Sequence, residues 1–128
     1  MHRSQLAGFI IDCRTDDLPQ AAAFWGAALG MAVRALPGEE GEKYVRLIDP
    51  AERLHVEVQK VTHDSRVHLD IETDDVDAEV QRLEALGAGV VKRVHTWCVM
   101  QAPTGQRFCV VRAGSKDFVE RANRWPSP

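Results

Sequence analysis

Residues Ile11-Asp12-Cys13-Arg14-Thr15-Asp16-Asp17-Leu18 return 58 positions later as Leu69-Asp70-Ile71-Glu72-Thr73-Asp74-Asp75-Val76. With one residue of slippage Ala28-Leu29-Gly30 then meets Ala85-Leu86-Gly87, and at an offset of 53 Tyr44 meets Trp97 and Pro50 meets Pro103. A solenoid needs three or more repeats, so two copies filling 128 residues predict two packed modules related by a pseudo-twofold axis. The chain is one domain's length, 1–128. Its 45% hydrophobic content suffices to bury a core and rules out disorder as the main state.

Hydrophobic period gives each copy the same order. In the first, a strand over 7–14 runs into Thr15-Asp16-Asp17, whose oxygens suit a helix N-terminus, with Pro19 in the first turn. The helix carries Leu18, Ala22, Phe24, Trp25, Ala28 and Leu29, and Gly30 ends it. Strands follow over 31–36, 43–48 and 53–61. In the second, a strand at 66–72 precedes a helix at about 75–86, stopped by Gly87, and strands near 89–94, 96–102 and 107–112. The expected fold is therefore α+β, two tandem βαβββ modules at about 6–61 and 66–112 joined by the polar linker 62–65. A tail from Ala113 is expected to form a short helix around Phe118–Ala122 and to cover apolar surface.

Charge and composition exclude several classes of function. Lys and Arg number 16 against 19 Asp and Glu, a net charge of −3, which lacks the basic face that nucleic acid demands. No apolar run approaches the ~18 residues of a membrane span, and the first residues resemble no signal peptide, so a cytoplasmic protein is expected. Cys13, Cys98 and Cys109 are odd in number and lie in apolar surroundings, as expected of reduced, mostly core thiols. There is no Gly-x-Ser-x-Gly elbow, Walker sequence or His-Glu-x-x-His motif. Gly87-Ala88-Gly89 follows a helix rather than a strand, the wrong context for a phosphate loop.

The paired βαβββ units, Phe24-Trp25 followed by Ala28-Leu29-Gly30, Asp12-Cys13 on the first strand and Pro103-Thr104-Gly105-Gln106 before the last strand resemble the vicinal-oxygen-chelate superfamily of glyoxalases, bleomycin-resistance proteins and extradiol dioxygenases, in particular its glyoxalase-like subgroup. The resemblance covers roughly 6–112. It implies half-barrel modules forming a curved mixed-sheet cup, a homodimer, and in some members a divalent metal such as Mn, Ni, Zn or Fe on the cup floor. The family's metal positions fall here on His68, on Glu57 with His55 as the alternative, and on Cys109 in place of a carboxylate; the symmetry mate of His68 is the apolar Ile10. That incomplete set implies a weakly held ion or none.

Period two places His68, Asp70 and Glu72 on one strand face, and His55, Glu57 and Gln59 on another, with Ile10, Asp12 and Arg14 contributed by the first strand. The opposite, apolar faces are expected to take the helices. Asp12 and Asp70 are the candidate general acid and base. Tyr44 and Trp97 are the candidate aromatic walls, and His55, Glu72 and Arg14 the further ligand-binding residues. A salt bridge to Arg53 or Arg66 is the plainer account of His55 and Glu57. Three functions remain: a small-molecule-binding protein that sequesters a planar or oxygen-rich ligand, a metal-assisted lyase, isomerase or dioxygenase, and an interaction-only domain. Phe118 and Trp125 are candidate contacts between protomers.

Overall fold

The computed structural model describes residues 1–127. Its elements are β1 (His2–Arg14), α1 (Leu18–Leu29), β2 (Ala32–Ala35), α2 (Glu40–Lys43), β3 (Tyr44–Ile48), β4 (His55–Val61), β5 (Arg66–Thr73), α3 (Val76–Ala85), β6 (Gly89–Val94), β7 (Trp97–Gln101), β8 (Arg107–Arg112), α4 (Phe118–Arg121) and β9 (Asn123–Trp125). The βαβββ order thus occurs twice, with the single turn α2 inserted between β2 and β3. No helix among the described residues is long and apolar enough to cross a membrane. The chain forms two compact units, Gly8–His68 and Met1–Ala7 with Leu69–Pro128.

In the first unit β1 runs parallel to β4, from Gly8 opposite His55 to Arg14 opposite Val61, and β3 and β2 add antiparallel strands outside it. α1 lies over β2, β3 and β4. Leu18 and Ala22 of the helix pack there against Val45, Leu47, Val56 and Val58. Gly8 is required by the close approach of β1 and β4: a Cβ at this position would stand 1.9 Å from the carbonyl oxygen of His55. Gly30, at φ 69°, closes α1 in the left-handed conformation that glycine adopts without cost.

The second unit repeats the plan. β5 runs parallel to β8, and β7 and β6 follow antiparallel. α3 lies over β6, β7 and β8, packing Val80 and Leu83 on Cys98, Met100 and Val110. The repeated Thr-Asp-Asp does the same work in both units. The Thr15 and Thr73 hydroxyls accept from the amides of Asp17 and Asp75 at 3.0 and 3.1 Å. Those aspartates then cap their helices by accepting from Gln20 and Ala78 at 3.1 and 3.0 Å.

Three expectations need correction. β1 starts at His2 rather than at residue 7, because β9 pairs antiparallel with its first residues, His2 opposite Trp125. Phe118 is 6% exposed and so is spent within its own chain rather than on a partner protomer. Trp125 is partly buried, its Nε1 donating to Ser4 at 2.8 Å and its ring under the Arg82 guanidinium at 3.9 Å. Finally, the apolar face of β5 is not covered along its length. Val67 and Leu69 are 57% and 52% exposed, since α3 lies over β6–β8, and only Ile71 reaches the core beneath it.

Candidate functional site

In the first unit the side chains that point away from α1 come from alternate residues of three strands. Tyr44, Gln59 and Asp12 form one rung across β3, β4 and β1, and Arg46, Glu57 and Ile10 form the next. Asp12 is 2% exposed. Its Oδ2 lies 2.9 Å from Nδ1 of His68, and Arg66 Nε donates to the same oxygen at 3.5 Å. His63 Nε2 stands 4.0 Å away. Oδ1 of Asp12 is buried without a hydrogen-bond partner among the described residues. A carboxylate accepts only, so the pairing puts a proton on Nδ1 of His68 and leaves Nε2 as the ring nitrogen turned away from Asp12.

His68 and Asp70 stand two residues apart on β5, and Asp70 is opposite Cys109 on β8. The three offer ligand atoms that all lie within 4.8 Å of one another. An imidazole, a carboxylate and a thiol suit a borderline ion such as Zn²⁺, and Asp12 behind His68 has the place of an outer carboxylate that orients a ligating histidine. The residues fit a divalent ion of that kind. Glu57, expected with them, is instead 3.4 Å from His55 Nε2, and Arg66, the expected partner of that pair, turns to Asp12. Ile10 is 3% exposed and offers no ligand.

The remaining candidates separate. Glu72 is 2% exposed and fully engaged: it accepts from the amides of Gly114 and Ser115 at 2.9 and 3.0 Å, from the Ser115 hydroxyl, and from Gln5 at 2.9 Å. Burial alone would raise its pKa, but these four donors hold it below the ordinary value. It anchors the tail, and no acceptor is left to carry the expected ligand contact. Arg14 is mostly exposed and reaches Asp64 at 3.1 Å, fastening the linker. Trp97 borders a cleft of about 560 Å³ in the second unit, with Asp77, Arg93, His95 and Arg112. Tyr44 is half-buried on the first unit's Asp12 rung. Cys13 and Cys98 are core thiols whose pKa burial pushes up.

Sequence reasoning did not place His63 or Arg46 at the site, and gave Arg66 only as a salt-bridge partner for His55 or Glu57. Arg66 was within reach, since it shares the period-two face of His68 and Asp70. His63 lies in the linker, where no periodicity assigns a direction.

The fold is one seen in solved structures. Methylmalonyl-CoA epimerase from Mycobacterium tuberculosis superposes with a TM-score of 0.63 at 16% identity, over 87% of this chain and 89% of that one. A hypothetical protein from Bacillus halodurans C-125 gives 0.63 at 8% identity, over 88% and 96%. Streptomyces coelicolor methylmalonyl-CoA epimerase, in complex with 2-nitronate-propionyl-CoA, gives 0.53 at 16% identity, over 85% and 98%. No curated protein matches the chain by sequence. The family model of the glyoxalase-like domain matches residues 8–111, both βαβββ repeats, and the chain belongs to that family within the vicinal-oxygen-chelate superfamily.

Proposed function

We propose that this protein takes up a small oxygen-rich molecule and moves a proton on a carbon next to one of its carbonyl groups, with His68 as the group that carries the proton. The observation behind this reading is the Asp12–His68 pair, 2.9 Å apart with Asp12 2% exposed. A buried carboxylate fixes both the tautomer and the direction of the imidazole, which is what proton transfer to a bound substrate requires. Arg66 donates to the same Asp12 oxygen at 3.5 Å and sets a positive charge beside the buried carboxylate. The comparison structures named as epimerases agree with proton transfer of this class.

A second reading is supported by the grouping of His68, Asp70 and Cys109. A divalent ion held by these three would supply Lewis acidity to substrate oxygens. His68 would then serve as ligand and Asp12 as its orienting partner, so one histidine cannot fill both roles at once. The third reading, a receptor without chemistry, draws on the buried Ile10 opposite Glu57, an apolar residue where a symmetric site would repeat His68.

Deuterium incorporation separates them. The protein is incubated in D₂O with 1,2-dicarbonyls, 2-hydroxycarbonyls and acyl thioesters including methylmalonyl-CoA, and exchange next to the carbonyl is followed by NMR. Proton transfer by His68 predicts protein-dependent exchange that survives EDTA and is lost in His68→Gln. Exchange abolished by EDTA moves the assignment to the metal reading. Saturable binding without exchange leaves a receptor and sinks the proposal.

A further inference from the structure

Arg46 faces away from α1, because Val45 and Leu47 on either side of it are buried in the first unit's core. Its register partners are Arg34 on β2 and Glu57 on β4, with Ile10 of β1 ending the rung. Like charges directly opposed on an antiparallel pair repel. Glu57 is the natural counter-ion for the inner arginine, yet it turns to His55 at 3.4 Å, and no ion pair joins it to Arg46 among the described residues. Nε of Arg46 is buried there without a hydrogen-bond partner. A buried donor left unmet is costly, and two arginines in register add like-charge repulsion between neighbouring strands. Both are relieved by one occupant, an oxyanion on the Arg46 guanidinium with the exposed Arg34 beside it on the next strand.

We propose that Arg46, with Arg34, is the docking point for a carboxylate or phosphate group on the small molecule that His68 acts on. The proposal rests on the proton-transfer reading and adds the substrate's class. Both oxyanions present two oxygens to a guanidinium fork, and the apolar Ile10 at the end of the rung keeps that end of the contact dry. Arg46 is two strands and one rung away from Asp12, which at the usual sheet spacings is roughly 12 Å between Cα atoms, on the same face of the first unit. The ligand class is therefore an acidic carbonyl compound, its anionic group held by Arg46 and its exchanging carbon offered to His68.

The arginine Nε–H signals of ¹⁵N-labelled protein report on this directly while succinate or inorganic phosphate is added. The Arg46 signal is expected to move saturably, and Arg34→Gln to weaken the binding about tenfold, the loss of one charge-assisted contact. The tighter of the two anions identifies the group as carboxylate or phosphate. Arg46→Lys, which keeps the charge and so protects the fold, is expected to weaken binding about tenfold by losing the fork. An Arg46 signal unmoved by either anion, or equal binding in folded Arg46→Lys, overturns the proposal. His68→Gln is expected to leave the anion shift intact, so a failure of proton transfer and a failure of anion docking are read separately.

Discussion

Asp12 and His68 stand 56 positions apart in the chain and 2.9 Å apart in space, through Oδ2 and Nδ1. Asp12→Asn keeps the shape but offers either an amide donor or a neutral acceptor, so the His68 tautomer is no longer imposed. Proton exchange on a responsive substrate is expected to fall about 100-fold, the scale of a misdirected general base, while the thermal midpoint changes little. His68→Ala, by contrast, leaves Asp12 buried with only Arg66 and the more distant His63 and is expected to cost on the order of 1–3 kcal/mol in urea unfolding. Equal exchange in Asp12→Asn and wild type would remove Asp12 from the mechanism.

That pair shows how far the sequence alone could be read. The repeat of Thr15-Asp16-Asp17 at Thr73-Asp74-Asp75 announced both helix starts, because a hydroxyl and a carboxylate at that spacing satisfy amides within a few residues. Period two likewise put Asp12 and His68 on polar faces. It could not say that they meet, since residue alternation gives a side chain's direction and not its partner. The start of β1 was hidden for a similar reason. His2-Arg3-Ser4 shows no apolar alternation, and becomes strand by pairing with β9 at the other end of the chain. On β5 alternation named the face that Ile71 turns to the core, but not how much of it is covered: Val67 and Leu69 stay exposed because α3 lies over β6, β7 and β8.

Acid should loosen the second unit first. Glu79 is fully buried, 2.8 Å from His2 Nε2 and doubly bonded to Arg82. As with Glu72, burial alone would raise its pKa, but hydrogen bonds from Arg82, His2 and Ser4 bring it below the ordinary value. Folded-state pKa values lowered in this way contribute stability that is complete above the unfolded-state carboxylate pKa and is lost as pH falls through the lowered values. Urea midpoints measured from about pH 7 down to about pH 3 should therefore decline, and Glu72→Gln should flatten part of that decline. A pH-independent midpoint over this range would contradict the assignment.

Gly8→Ala tests the seam between β1 and β4. Its Cβ would fall 1.9 Å from a backbone oxygen that cannot swing aside, unlike a side-chain tip. The strands must separate or the ladder must break at His55. A loss of more than about 2 kcal/mol is expected from urea unfolding, well above the typical surface substitution. A stability within about 0.5 kcal/mol of wild type would mean the two strands are not held this closely.

Cobalt distinguishes the two roles open to His68. If the His68, Asp70 and Cys109 atoms, within 4.8 Å of one another, close on a divalent ion, Co²⁺ should give a thiolate-to-metal absorption band because one ligand is sulfur. Three protein ligands with no fourth from Ile10 or Glu57 imply an ion that is lost on dialysis, so less than one equivalent is expected after purification. The band should vanish in Cys109→Ser, weaken in Asp70→Asn, and persist in Glu57→Gln, whose carboxylate is turned toward His55. Asp12→Asn should weaken it by about 10- to 100-fold in affinity, the usual effect of losing a carboxylate behind a ligating histidine. A band that survives Cys109→Ser would place the ion elsewhere. If the wild-type protein gives no band while EDTA-resistant exchange continues, His68 keeps its Nε2 for the proton and the metal reading is closed.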